Sequence, residues 1–189
     1  MTIEIRPASV FDDVCTMVGP KRPDASVCWC LTYRLPAKEN RSLVGPARAE
    51  KVRTLMEDGP LGVLAYDGDR VVGWAAVAPR SKTVFARSRT IPHFGGADVW
   101  SVWCLRVRPG HRGKGITYPL LAGAVAFARD MGAPAVEGYP VDNGGRRVHT
   151  TMAYVGTRSL FEKVGFRKVA DTSSVLSGFP RVVMRMDFG

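Results

Sequence analysis

The residues Gly110-His111-Arg112-Gly113-Lys114-Gly115 alternate small and basic side chains between an apolar run that ends at Val107 and an apolar helical pattern that opens near Ile116. A strand, a bare basic turn and a helix start in that order make an anion site. The first backbone N–H groups of a helix have no intrahelical partner and lie at the positive end of the macrodipole. Glycine lets a bulky anion approach them, and Arg112 and Lys114 add formal charge. The chemistry that suits such a pocket is the holding of a pyrophosphate. Two familiar phosphate loops are excluded. Lys114 is followed by Gly115 rather than Ser or Thr, and Tyr118 stands where a dinucleotide fingerprint needs its third glycine.

Around that turn the chain supplies few other reactive groups. Glu137 sits inside the apolar stretch Ala135 to Tyr139, where a carboxylate is either partly desolvated, and so suited to act as a base, or edge-facing and solvated. Asp98 opens the run that leads into the turn, and Ser101 follows it. Tyr139 and Tyr154 are phenols close in sequence to the same region. His149 lies in a polar loop, a place where histidine is more often solvated than catalytic, and His93 and His111 carry less weight still. No His, Cys and Asp cluster has metal-ligand spacing. Cys28-Trp29-Cys30 lacks the spacer of a zinc knuckle or redox pair, so the four cysteines read as reduced thiols, mostly buried.

The elements that must position these groups follow from periodicity and punctuation. Residues 2–6 alternate as a strand, and 9–18 form a short helix. Val27 to Arg34, apolar and aromatic, fits a strand or a buried helical turn equally well. Pro46 and Gly59-Pro60 bracket a helix. Two strands flank Asp67-Gly68-Asp69, a strong hairpin signal. Residues 80–97 are a basic loop, and a fourth strand runs from Asp98 to Val107. A helix spans Ile116 to Met131, ended by Gly132 and Pro134. A short fifth strand over 134–140, a polar loop over 141–151, a helix from Ala153 to Val164 and two closing strands near 166–171 and 181–188 complete the chain. The order is a mixed α/β fold in one domain, residues 1–189.

Composition sets the outer bounds. The 189 residues suffice for one real core. No apolar run reaches the roughly 20 residues of a membrane span, and the N-terminus is not a signal peptide, so a cytoplasmic protein is expected. The net charge of +10 asks for an anionic partner. The cations are dispersed rather than gathered in a stripe or arm, which argues against nucleic acid and for a phosphorylated cofactor.

The stretch VRPGHRGKGITYPLL resembles the acyl-CoA pyrophosphate loop of the GNAT superfamily of N-acetyltransferases, R/Q-x-x-G-x-G/A followed by an apolar helix. Arg112, Gly115 and Leu120-Leu121 match, whereas Thr117 stands where Gly or Ala is usual. LFEKVGF, Leu160 to Phe166, resembles the second signature of that family. The element order fits along almost the whole chain.

The resemblance implies a single α/β domain whose central sheet, mixed but mostly antiparallel, has fourth and fifth strands that splay apart. It implies acetyl-CoA, with its pantetheine arm on the fourth strand at Leu105, Arg106 and Val107. The pyrophosphate would lie on the N–H groups of Arg112, Gly113, Lys114, Gly115, Ile116 and Thr117. It implies direct transfer of an acetyl group to a primary amine, on a small molecule or a protein lysine.

The family's usual acid is a tyrosine at the position of Phe161, which cannot donate a proton. Tyr154 or Tyr139 would substitute, with Glu137 the first choice of base, Asp98 the second, and a water relay near Ser101 a third route. Trp29, Trp74, Trp100 and Trp103 read either as core or as an aromatic wall for the acceptor. The basic variable segments would repel a polycationic acceptor and tolerate a neutral, zwitterionic or acidic one. Folds resembling this one are often dimeric. From other classes, a non-catalytic acyl-CoA sensor and a nucleic-acid binder are the alternatives.

Overall fold

The computed structural model describes residues 2–22, 25–149 and 153–189. Seven strands form one sheet: β1 (Ile3–Pro7), β2 (Gly62–Asp67), β3 (Arg70–Pro79), β4 (Trp100–Val107), β5 (Ala135–Gly138), β6 (Arg167–Leu176) and β7 (Phe179–Asp187). Their spatial order is β1-β2-β3-β4-β5-β7-β6, and only β4 and β5 run parallel. The parallel pair needs a crossover, and α4 (Thr117–Asp130) supplies it. The hairpin read from the Asp-Gly signal is present, with Asp67 paired to Arg70 across Gly68-Asp69.

Helices cover both faces. On one face α1 (Phe11–Val18) and α3 (Pro46–Glu57) lie over a core that includes Trp74, Trp103 and Tyr139, while α2 (Ala37–Ser42), between them in the chain, buries none of its residues. On the other, α4 and α5 (Arg158–Val164) bury Leu120, Leu121, Ala124 and Phe161 against Val63, Ala75 and Val102. The apolar spacing of α4 is what turns that face inward.

Four sequence readings change. The open stretch Val27 to Arg34 is neither strand nor helix but a run of turns, with Trp29 and Cys30 held in the left-handed region at φ 52° and 55°. The helix expected from Ala153 to Val164 is two pieces, a 3₁₀ turn at Ala153–Val155 and α5, broken at Gly156 with φ 76° and recapped by Thr157. Loop 80–97 holds two 3₁₀ turns, Arg80–Lys82 and Val84–Arg87. The closing strands reach farther toward their shared turn, to Leu176 and from Phe179. Thr150 and Thr151 of the polar loop lie outside the described residues.

One irregularity shapes the site. β4 pairs β5 only over Trp100 to Val102, while its pairing with β3 continues to Val107. The register between β3 and β4 shifts between Val102 and Cys104, leaving Trp103 as the extra residue of a bulge. Beyond the bulge the β5-facing edge of β4 has no strand partner. The sheet opens there into a wedge.

Candidate acyl-transfer site

The glycine turn closes the wide end of that wedge. Gly110, Gly113 and Gly115 all have positive φ, at 85°, 77° and 76°, a region that costs an ordinary L-residue about 1–2 kcal/mol. A Cβ built on any of the three would meet nothing within 4 Å, so the conformation and not crowding demands glycine. Ile116, 2% exposed, pins the start of α4 into the core. Among the described residues none of the backbone N–H groups of Arg112 to Thr117 donates to a backbone carbonyl. Arg112 bonds its own strand end, Nε to the Val107 carbonyl at 3.1 Å. Free donors, an open approach and the charges of Arg112 and Lys114 fit a pyrophosphate.

Leu105, Arg106, Val107, Arg112 and Thr117 share one groove of about 340 Å³ with Ala153 and Tyr154. Cofactor-site residues expected from separate motifs thus meet in one place, and Tyr154 meets them there. Its hydroxyl lies 3.3 Å from that of Tyr33. Burial, then the Tyr33 hydroxyl, pushes the Tyr154 phenol above its usual range. The proton therefore stays on this oxygen at neutral pH. Tyr33 comes from the unread stretch, and nothing in its neighbourhood marks it as a site residue.

Tyr139 is elsewhere. It is 1% exposed, and its hydroxyl bonds Ser101 Oγ at 3.1 Å and Glu137 Oε2 at 3.2 Å. Burial, first, and the neighbouring carboxylate raise its pKa. Glu137 is fully buried, more than the expected partial desolvation. Arg80 Nη1 donates to its Oε2 at 2.9 Å and Arg185 Nη1 to its Oε1 at 3.0 Å. Both oxygens are thus matched by cations from loop 80–97 and from β7, partners no local motif announces. Neither Glu137 nor Tyr139 lines the groove. Asp98 is exposed at the opposite end of β4 and accepts from Ser81 N and Oγ.

Phe161, at the position of the family's usual tyrosine, is completely buried. Its ring lies edge-on to Phe166 at 4.9 Å. A Cβ on Gly138 would come within 2.1 Å of it, and one on Gly156 within 2.9 Å. This slot is bounded by two glycines and has room for a phenyl ring, and Phe161 does not line the groove. The tryptophans do not form one wall. Trp29, Trp74 and Trp103 pack in the core of the α1–α3 face, while Trp100 meets Phe127 on the other.

A β4–β5 pair that parts beyond Val102, a bulged fourth strand and a glycine turn running into the crossover helix are the features expected of an acetyltransferase fold. Residues 29–166 match the model of the acetyltransferase (GNAT) family, and the chain belongs to that family.

Solved structures agree on the fold. Ribosomal-protein-alanine N-acetyltransferase from Brucella melitensis is 19% identical, with TM-score 0.57 over 98% of this chain and 99% of that one. The yncA protein of Salmonella typhimurium, solved with its cofactor acetyl-CoA, is 16% identical, with TM-score 0.56 over 100% and 95%. A chain of the NatC complex bound to Gag peptide and CoA is 13% identical, with TM-score 0.55 over the full length of both. Comparison with curated proteins gives no match. Among the described residues no helix is long and apolar enough to cross a membrane.

Proposed function

We propose that the protein transfers an acetyl group from acetyl-CoA to a primary amine, on a small molecule or a protein lysine, by direct attack while both are bound. The observation that carries this reading is the shared groove, in which the unpaired edge of β4, the glycine turn and a protonated phenol face one another. Acetyl-CoA supplies the activated thioester. The N–H groups of Arg112 to Thr117, with the Arg112 and Lys114 side chains, hold its pyrophosphate. Leu105, Arg106 and Val107 offer the free strand edge along which a pantetheine arm bonds as an added strand would.

A backbone N–H at the β4 bulge meets the negative charge that develops on the acyl oxygen, at no cost in reorganisation. Tyr154 holds a proton at the groove wall for the departing sulfur. The described groove lining is uncharged apart from Arg106 and Arg112, so the amine gives its proton to solvent water. Glu137 is assigned a positioning role: it fixes Arg80, Arg185 and Tyr139 where the sheet begins to open.

Calorimetric titration with acetyl-CoA, followed by a thiol-release assay over a panel of amines, tests this. Saturable binding lost in Arg112→Glu, with amine-dependent release of CoA, is the expected result. No binding at millimolar cofactor, or binding without release by any amine, overturns it.

A further inference from the structure

A second groove adjoins the first. It measures about 540 Å³ and lies between the end of α1 and the strand-to-turn segment, with Thr16, Met17, Lys21, Arg106, Arg108 and Arg112 among its walls. Arg106, Val107 and Arg112 line both grooves, so the second adjoins the stretch read above as holding the pantetheine arm and the pyrophosphate.

Among the described residues four cations border this groove and no carboxylate does. All four are exposed. Among the described residues no ion pair involves any of them, although Arg80, Arg158, Arg167 and Arg185 each sit against an acid. Arg108 and Arg112 bond only backbone carbonyls, those of Val71 and Val107, which fixes their stems and leaves their charge unmatched. Like charges crowded without acids repel one another and focus a positive potential on whatever enters. Among the described residues the groove lining contains no aromatic side chain on which a base could stack, which disfavours single-stranded nucleic acid.

We infer that this groove docks an acidic peptide segment and presents an amine on it to the acetyl group. The inference rests on the acetyl-transfer reading above and names its acceptor class: a lysine or terminal amine flanked by aspartate or glutamate. Lys21 and Arg108 line this groove and not the cofactor groove, so they act on the acceptor alone.

The test uses the full chain with CoA bound. Binding of a fluorescent peptide carrying one lysine among glutamates is followed by anisotropy, beside alanine- and lysine-flanked versions and a DNA oligonucleotide. Acetylation of the same peptides is followed in parallel. The acidic peptide is expected to bind best, more weakly as salt rises toward about 0.15 M, and to give the highest kcat/KM. Lys21→Glu with Arg108→Glu is expected to cut its affinity about tenfold while the acetyl-CoA affinity holds. Lys21→Glu alone, at an exposed site, gives a smaller change in the same direction.

Equal binding of all three peptides, or tighter binding of DNA, overturns the inference. So does a double variant that loses acetyl-CoA and keeps its peptide preference, which would assign these cations to the cofactor. Acidic peptide that binds and is never acetylated, with acetyl-CoA also bound, upholds the groove and removes the amine-transfer reading instead.

Discussion

The hydroxyl of Tyr154 stands 3.3 Å from the hydroxyl of Tyr33, at the wall of the groove formed by Leu105, Arg106 and Val107. Two chain segments 121 residues apart thus meet at one phenolic proton. Burial and this contact hold the Tyr154 pKa above the usual phenol range, so the acid form persists through neutral and mildly alkaline pH.

Tyr154→Phe is expected to lower kcat by about 100-fold at pH 7, with acetyl-CoA affinity changed little. The deficit has a pH signature. A thiol leaves unaided as thiolate above a pKa of about 8.5, so the gap between variant and wild type narrows as pH rises from 7 toward 9. Wild-type kcat shows no fall across that window, because a raised pKa keeps Tyr154 protonated. A gap that stays constant across the profile would remove the acid role.

Tyr33→Phe keeps the ring that stacks on Phe85 at 5.0 Å and removes the hydroxyl. A smaller loss is expected, about tenfold in kcat, with KM for acetyl-CoA unchanged. An unchanged kcat would mean that Tyr154 needs no partner.

Glu137→Gln leaves Arg80 and Arg185 facing an uncharged group in a site where the glutamate has no exposure. Breaking a buried ion pair costs about 3–5 kcal/mol, read as a lower midpoint in denaturant. The folded fraction should keep most of its kcat. A stable variant with kcat down 100-fold or more would restore Glu137 as the general base.

Phe161→Tyr puts back the residue usual at that position, and no gain in kcat is expected. The ring is boxed by Gly138 and Gly156, and an added hydroxyl overpacks the slot at a cost of about 1–3 kcal/mol. A rise in kcat would mean that the slot opens toward the groove.

Gly115→Ala tests the turn. A Cβ there meets no atom within 4 Å, so only the backbone at φ 76° objects. The strain is about 1 kcal/mol, and the N–H groups shift with it. Acetyl-CoA affinity should fall roughly tenfold, measured by titration, with little change in thermal stability if the loop relaxes.

Much of the protein is legible in its sequence, and for local reasons. Glycines and prolines punctuate the elements, Asp67-Gly68 makes the hairpin, and the spacing of Leu120, Leu121 and Ala124 turns one face of α4 inward. The turn from Gly110 to Gly115 is readable because its three glycines, its basic side chains and the helix start that uses them are neighbours in the chain. Backbone geometry that depends on a residue and its immediate neighbours is written in order.

The tertiary structure decided what depends on distant partners. Glu137 looks like a dry, available carboxylate in a strand, and becomes the centre of an ion-pair network when Arg80 and Arg185 arrive from loop 80–97 and β7. Tyr154 becomes a groove residue because Gly156 breaks the expected helix, while Phe161 turns into the core between two glycines. The left-handed turn at Trp29 and Cys30, which leads the chain on to Tyr33, follows no local pattern. Charge and polarity are properties of single residues, but whether a charge is matched or free is a property of what packing places opposite it. That is why the glycine turn could be located in the sequence, and the surroundings of the carboxylate and of the two phenols could not.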